Sequence, residues 1–341
     1  MIPNKYRQCV VASRPEQSVT LENFRLETVA MPDLVDGDVL VQTGSVMVNP
    51  PAVVALNRGV AKQPPVPVDS VMWGQGVGTV VASKNESFSV GDRVVGPLGW
   101  SEYRVFTGAE LAQLRQNHLP AEVPATLALH VLGASGPTAY LGLIEHGKPK
   151  LGDTVLVSAA AGTVGSLVCQ LALAAGCTVV GIMGSDEKGE WLSSLGVQHV
   201  INYKREDISA RIAEVCPNGV DVYFDNVGGS TLEAALSNLA MHARVVLCGA
   251  TSQYTDASPF KGPSNYFDLV HNEATMRGFH IFHYMEQIPA VIGRLVPLLK
   301  AGKLQFKEDV LEGIEHAPAA LLRVMDGKNF GTQLVKMSAT S

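Results

Sequence analysis

Charge is sparse in this chain, and so are cysteine and aromatic residues. Of 341 residues, 17% are charged, 6% are aromatic and five are cysteine. Cys9, Cys169, Cys177, Cys216 and Cys248 stand singly, mostly in apolar runs, with no C-x-x-C pair among them. That spacing argues against a disulfide framework and fits small core thiols in a reducing compartment. Lysine and arginine never form a block, and 26 basic against 32 acidic residues leave a net charge of −6. No surface able to track phosphates follows from that balance, so nucleic acid is not an expected partner. The N-terminus carries Lys5 and Arg7 without the unbroken apolar run of a signal peptide, which gives a cytoplasmic, soluble protein as the expectation. Charge is missing altogether between Asp153 and Asp186, an interval that approaches membrane-span length. Gly162, Gly165, Gly176, Gly181 and Gly184 divide it into a β-branched run, a helical run and a second β-branched run. This is the pattern of a buried βαβ unit with parallel strands, and no membrane span is expected.

A chain of 341 residues is long for one core, and two domains are expected. Up to about residue 127 the sequence reads as strands, at 39–42, 77–81 and 93–95, separated by Gly-Asp and Pro-rich joints. Beyond Asp153 strands alternate with helices in a doubly wound α/β pattern. Strands are expected at 154–158, 177–183, 199–202, 220–225, 244–248 and 276–281, with helices at 164–175, 187–195, 206–215, 231–241 and 288–300. Gly176 and Gly196 supply two of the helix stops, since glycine tolerates the left-handed conformation just past a helix end. A strand-like tail at 332–336 is expected to return to the first domain. The domain reading is therefore 1–127, a Rossmann cofactor domain at 128–297, and a return over 298–341.

The run Ser158-Ala159-Ala160-Ala161-Gly162-Thr163-Val164-Gly165 follows a strand and opens a helix, with Ala160 where a dinucleotide fingerprint usually begins with glycine. Gly162 lets the backbone approach a pyrophosphate, Gly165 lets helix and strand pack closely, and the helix start carries partial positive charge. A tight helix–strand crossing with no ligand would use the same small residues. Where NAD-binding units place a carboxylate at the end of the second strand, this chain has Ile182-Met183-Gly184-Ser185, followed by Lys188. Small residues and a cation suit the 2′-phosphate of NADPH. Ser185 could equally serve as a helix cap and Lys188 as a solvated charge.

These segments, with Gly136-Pro137-Thr138-Ala139-Tyr140, Asn202-Tyr203-Lys204 and Tyr223-Phe224-Asp225-Asn226-Val227-Gly228-Gly229, make a chain that resembles the medium-chain dehydrogenase/reductase superfamily. More narrowly it is similar to the zinc-independent branch of prostaglandin reductases, leukotriene hydroxydehydrogenases and alkenal double-bond reductases. The resemblance implies a Rossmann domain beside a mainly β, GroES-like catalytic domain split between the two ends of the chain, and a homodimer, commonly through edge strands. It implies NADPH held by the 161–165 loop, Ser185, Lys188 and Tyr203 at the 2′-phosphate end, with Thr138, Asn226, Cys248 and Asn329 along the rest. Tyr254, in Gly249-Ala250-Thr251-Ser252-Gln253-Tyr254, matches the tyrosine proposed to hydrogen-bond the substrate carbonyl. Tyr203, Asn226, Asn329 and Tyr254 also have ordinary loop or turn readings. Two departures concern the substrate pocket: Val48-Asn49-Pro50-Pro51-Ala52 replaces an Asp-Pro-Tyr-Met-Arg type segment, and Gln75 is not followed by a second glutamine.

Zinc alcohol dehydrogenases of the superfamily polarise a carbonyl with a metal held by cysteine and histidine, plus a carboxylate in some members. Their first domain carries a Gly-His-Glu segment; the corresponding Trp73-Gly74-Gln75-Gly76 here lacks both its His and its Glu, no cysteine lies between Val10 and Val168, and no metal is expected. Hydride addition to the β-carbon of an enone needs only donors for the developing oxyanion, which a phenol can supply. The expected activity is NADPH-dependent reduction of the C=C bond of α,β-unsaturated carbonyl compounds. Quinone reduction at the same site is the alternative enzyme reading, and an NADPH-binding protein without turnover is the alternative outside enzymes.

Overall fold

The computed structural model describes residues 2–57, 64–119, 123–255 and 258–337. Strands run in chain order at Lys5–Val11 (β1), Phe24–Ala30 (β2), Val39–Val48 (β3), Gln75–Ser83 (β4), Arg93–Gly96 (β5), Tyr103–Phe106 (β6), Arg115–Gln116 (β7) and Thr154–Val157 (β8). They continue at Thr178–Met183 (β9), His199–Asn202 (β10), Val220–Asp225 (β11), Leu239–Leu247 (β12), Thr275–Gly278 (β13), Glu308–Glu312 (β14) and Thr332–Lys336 (β15). The α-helices are Pro51–Asn57 (α1), Ser135–Tyr140 (α2), Thr163–Ala174 (α3), Asp186–Ser194 (α4), Ile208–Val215 (α5), Gly229–Leu236 (α6), Asp268–His271 (α7), Ile288–Lys300 (α8) and Ala317–Met325 (α9).

The chain divides into two compact units. The first comprises Met1–His130, Thr255–Ala257 and Glu308–Ser341; the second comprises Val131–Tyr254 and Ser258–Lys307. In the first unit a mainly antiparallel sheet has the order β14-β15-β3-β4-β5-β7, with β6 also paired to β3, beside a β1-β2 hairpin. The alternation of side chains along a strand sends Val39 and Val41 of β3 into a cluster with Val80, Val94 and Phe106. Beyond the register shift at Thr43–Ser45, Met47 joins a second cluster with Val77, Val95 and Leu334. The expected tail strand is β15, and it pairs antiparallel with β3. The chain enters the second unit after His130 and leaves it before Glu308, and these two residues meet, His130 Nε2 lying 2.8 Å from Glu308 Oε1. The return thus comes later than the expected residue 298, because α8 belongs to the second unit, where a Cβ added to Gly136 would lie 2.9 Å from Leu295.

The second unit is a six-stranded sheet of order β10-β9-β8-β11-β12-β13, parallel throughout. Its central strands β8, β9 and β11 are buried on both faces, which is why Val155-Leu156-Val157 and Val179-Val180 read as continuous apolar runs. Leu156, Val180, Ile182, Ile201, Tyr223 and Val245 form one core with Ile212, Leu232 and Leu236 from α5 and α6. The charge-free interval is β8, α3 and β9, and no helix among the described residues is long and apolar enough to cross a membrane.

Three element boundaries differ from expectation. The helix expected over 231–241 stops at Leu236, because the Asn238 side chain donates to Ala234 O and Ser209 Oγ and Leu239 already pairs with Val220. Consequently β12 begins five residues before the expected 244, with an irregularity at His242, which takes a left-handed φ of 64°. The strand expected over 276–281 ends at Gly278, and a short 3-10 helix, Ile281–Gln287, follows.

Candidate active site

The C-terminal edge of the parallel sheet gathers most of the residues singled out in the sequence, as expected where ligands bind open α/β sheets. After β8 the chain turns through Ala159, in the left-handed region at φ 48°, and Gly162 N–H donates to Ala159 O at 2.9 Å. Helix α3 starts at Thr163 with Gly162 as its N-cap, so no side chain satisfies its first N–H groups. Those donors and the helix dipole suit a phosphate. Gly165 has the packing role expected of it: a Cβ there would stand 2.3 Å from Ala159 O. Ala160, the departure from the usual glycine, is completely buried, and its methyl fits because Gly181 of β9 lies opposite, where an added Cβ would be only 3.0 Å away.

At the end of β9, Ser185 is the extended N-cap of α4, but its hydroxyl makes no capping bond. The expected cap reading therefore does not occupy this side chain. Tyr203 lies over Gly184, where a Cβ would meet its ring and hydroxyl at 2.8–3.0 Å. Ser185 stands at the start of α4, half-buried Lys188 lies in its first turn, and Lys204 Nζ lies 5.9 Å from the centre of the Tyr203 ring. The nearby carboxylate of Asp186 is held by Asn202 Nδ2 at 3.0 Å and Arg205 Nη1 at 2.5 Å.

At the ends of β11 and β12, Asn226 Nδ2 donates to Ser158 O at 2.7 Å, and Cys248 N–H donates to Asp225 O at 2.9 Å. The Tyr254 hydroxyl accepts Ala250 N–H at 3.1 Å, and the ring meets Phe260 edge-on. A Cβ on Gly249 would be 3.1 Å from both Tyr254 Oη and Asn226 O, so the phenol sits beside the Asn226 turn. Burial raises the Tyr254 pKa above its usual 10.0, with Ala250 N–H opposing and the charges of Cys248 and Asp225 adding to it. The phenol therefore stays protonated at neutral pH, its O–H not donated to any partner among the described residues.

Other expected residues are less directly placed. Thr138 Oγ1 donates to Ala134 O at 2.8 Å within α2. Asn329 belongs to the first unit, where its Nδ2 donates to Gly331 O at 2.9 Å, as the turn reading expects. The segment 49–54 contains the start of α1, and the Asn49 side-chain oxygen Oδ1 is buried without a hydrogen-bond partner. In 279–284 the Tyr284 hydroxyl lies 2.9 Å from His146 Nε2. Residues 256–257, just past Tyr254, lie outside the described residues.

Sequence reasoning passed over the buried set Ser158, Tyr223 and Asp225. Tyr223 Oη donates to Asp225 Oδ1 at 2.7 Å, and Ser158 Oγ donates to the same oxygen at 3.0 Å. The available signal was Asp225 itself, a charge ending an apolar strand.

A doubly wound sheet whose C-terminal edge combines an uncapped helix start, a small-residue second strand end and a protonated phenol defines the class of Rossmann-fold oxidoreductases. Comparison with known proteins is more specific. The family described as zinc-binding dehydrogenase matches residues 163–296, and the N-terminal domain of oxidoreductase matches residues 7–114. Prostaglandin reductase 1 of Bos taurus is 38% identical, covering 93% of this chain and 94% of its own length. The 2-alkenal reductase (NADP(+)-dependent) of Nicotiana tabacum is 41% identical over 79% of this chain and 78% of its own. Among solved structures, CurA of Vibrio vulnificus in complex with NADPH superposes with a TM-score of 0.91 at 35% identity, covering 98% of this chain and 99% of that one. The chain belongs to the medium-chain dehydrogenase/reductase family, in the branch of prostaglandin and 2-alkenal reductases.

The family description implies zinc, and the donor set here does not fit it. No group of three or more His, Cys, Asp or Glu able to hold a metal ion occurs among the described residues. Where the Gly-His-Glu segment would place its His and Glu, this chain has Gln75 and Gly76, and a Cβ on Gly76 would stand 3.0 Å from Leu98.

Proposed function

We propose that this protein reduces the C=C bond of α,β-unsaturated carbonyl compounds with NADPH and without a metal. The observation that carries the reading is Tyr254: a phenol steadied by Ala250 N–H, kept protonated, with its own O–H left to donate. NADPH, when bound, supplies the hydride. Thr163, Val164 and the rest of the α3 start would hold the pyrophosphate, while Ser185, Lys188 and Tyr203 would hold the 2′-phosphate. Thr138, Ala161, Asn226 and Cys248 would lie along the rest of the cofactor. Tyr254 would donate to the substrate carbonyl oxygen and stabilise the negative charge that develops there as the β-carbon is reduced. The α-carbon would take its proton from solvent or from the same phenol. In this reading the second unit is the cofactor domain and the first is the catalytic domain. The free edge of β13, paired only with β12 among the described strands, is where a second copy would join to form a homodimer. Five free cysteines, four of them buried, suit a reducing, cytoplasmic setting.

The test is NADPH oxidation across enals, enones, quinones and saturated ketones, repeated with chelator and with Tyr254→Phe. Enones and enals should be the best acceptors, and chelator should have no effect. Tyr254→Phe should keep NADPH affinity while turnover falls about a hundredfold, or about tenfold if another donor shares the role. Unchanged turnover in Tyr254→Phe would remove the tyrosine assignment, and quinones far ahead of enones would replace the substrate class.

A further inference from the structure

Asp225 is a fully buried carboxylate, and no lysine, arginine or histidine pairs with it among the described residues. Its charge is met by hydrogen bonds alone. Oδ1 accepts from Tyr223 Oη at 2.7 Å, Ser158 Oγ at 3.0 Å, Val227 N–H at 2.9 Å and Gly228 N–H at 3.0 Å. Oδ2 shares the Gly228 N–H at 3.1 Å. Burying a charge without a cation is costly, and these five short contacts are what offset it. Burial still raises the Asp225 pKa above 3.8 against the lowering effect of those donors.

The donors belong to the segments that build the site. Ser158 is the first residue of the turn into α3, and its Oγ also accepts Asn226 N–H at 2.9 Å. Gly228, drawn in by the carboxylate, has a left-handed φ of 70°. Asn226 O in turn accepts Thr251 N–H at 3.2 Å, and Val227 O accepts from Ser252 through N–H at 3.1 Å and Oγ at 2.7 Å. The backbone oxygen of Asp225 accepts Cys248 N–H at 2.9 Å and Gly249 N–H at 3.1 Å. One side chain therefore ties the 158 turn to the 226–228 turn, and that turn carries the 249–254 segment.

We propose that Asp225 is a positioning residue: its buried carboxylate, braced by Ser158 and Tyr223, sets the Asn226–Gly228 turn and through it the segment that places Tyr254. Asparagine is the informative replacement. It keeps the size and one acceptor oxygen but turns an amide N–H₂ toward Gly228 N–H or toward the two hydroxyls, which must then reorient. The expectation concerns geometry, so it is read first without cofactor.

Native-state amide hydrogen exchange should rise at least tenfold over 226–228 and 249–254 in Asp225→Asn, with α8 amides exchanging as in the parent. Ser158→Ala, which loses the hydroxyl that donates to Asp225 and accepts Asn226 N–H, should show the same local pattern at about threefold. A merely structural role would instead lower protection everywhere in the unit. Because the further consequence rests on the proposed NADPH site, NADPH binding is titrated separately by fluorescence. Both variants should bind more weakly, Asp225→Asn by about tenfold, and adding Tyr254→Phe to Asp225→Asn should cost less turnover than it does in the parent. Faster exchange with unaltered NADPH affinity would uphold the positioning role and count against the cofactor placement. Parent-like exchange at 249–254 in Asp225→Asn overturns the proposal; should that variant not fold, parent-like exchange there in Ser158→Ala overturns it.

Discussion

At the end of β9 the contest between cofactors comes down to single residues. A carboxylate there would repel a 2′-phosphate, and this chain has Gly184-Ser185 with Lys188 in the first turn of the following helix. Lys188→Ala should therefore weaken NADPH binding by about 1.5–3 kcal/mol, the range of a charge-assisted contact, and leave NADH affinity within about twofold. Isothermal titration with both cofactors checks this, and equal weakening of the two would make Lys188 structural. The close packing at Gly165 was legible because a motif at fixed spacing tells what the backbone needs. The Asp225 cluster was not, because its meaning lies in Ser158, which is brought to it from 67 positions earlier in the chain by the pairing of β8 with β11.

Elements were legible where local pattern and tertiary burial agree. The β8-α3-β9 unit is apolar throughout, and glycines mark its turns, so its type and extent followed from the residues. Its tightest point is also testable. Gly165→Ala puts a methyl within 2.3 Å of Ala159 O, which forces α3 away from the turn that precedes it. The cost should be about 1–3 kcal/mol of stability, seen as a lower urea midpoint, with NADPH affinity falling about tenfold or more. A variant as stable as the parent and with parent-like affinity would mean that the turn is not held by this contact. The α6–β12 boundary was misread for a related reason. Leu232, Leu236 and Leu239 continue a helical spacing, and only the pairing of Leu239 with Val220 across the sheet ends the helix early.

On the scale of the whole molecule the thiols record how much is buried. From an ordinary 9.0, burial pushes Cys9, Cys169 and Cys248 up to about 12, and Cys177 and Cys216 up to about 11. Above about pH 8.5 the unfolded chain releases these protons and the folded chain keeps them, so the folded state binds more protons and stability falls as pH rises toward 12. Urea midpoints should decline steadily from pH 8.5 to 11, with a shallower decline in Cys169→Ala; a flat profile would mean the thiols are not held in low-dielectric surroundings. The cysteines lie in both compact units, so neither is exempt. The sequence by itself determined the parallel sheet, the small-residue turn into α3, the small-residue end of β9 and the lack of the His and Glu of a Gly-His-Glu segment, because each depends on residues close together in the chain or on residue types that are simply missing. Tertiary structure alone decided that β15 pairs with β3, that His130 meets Glu308, and that a buried carboxylate ties Tyr223, Ser158 and the Asn226 turn together. Those contacts join segments far apart in the chain, and their energies come from burial and hydrogen bonding that exist only once the strands have paired.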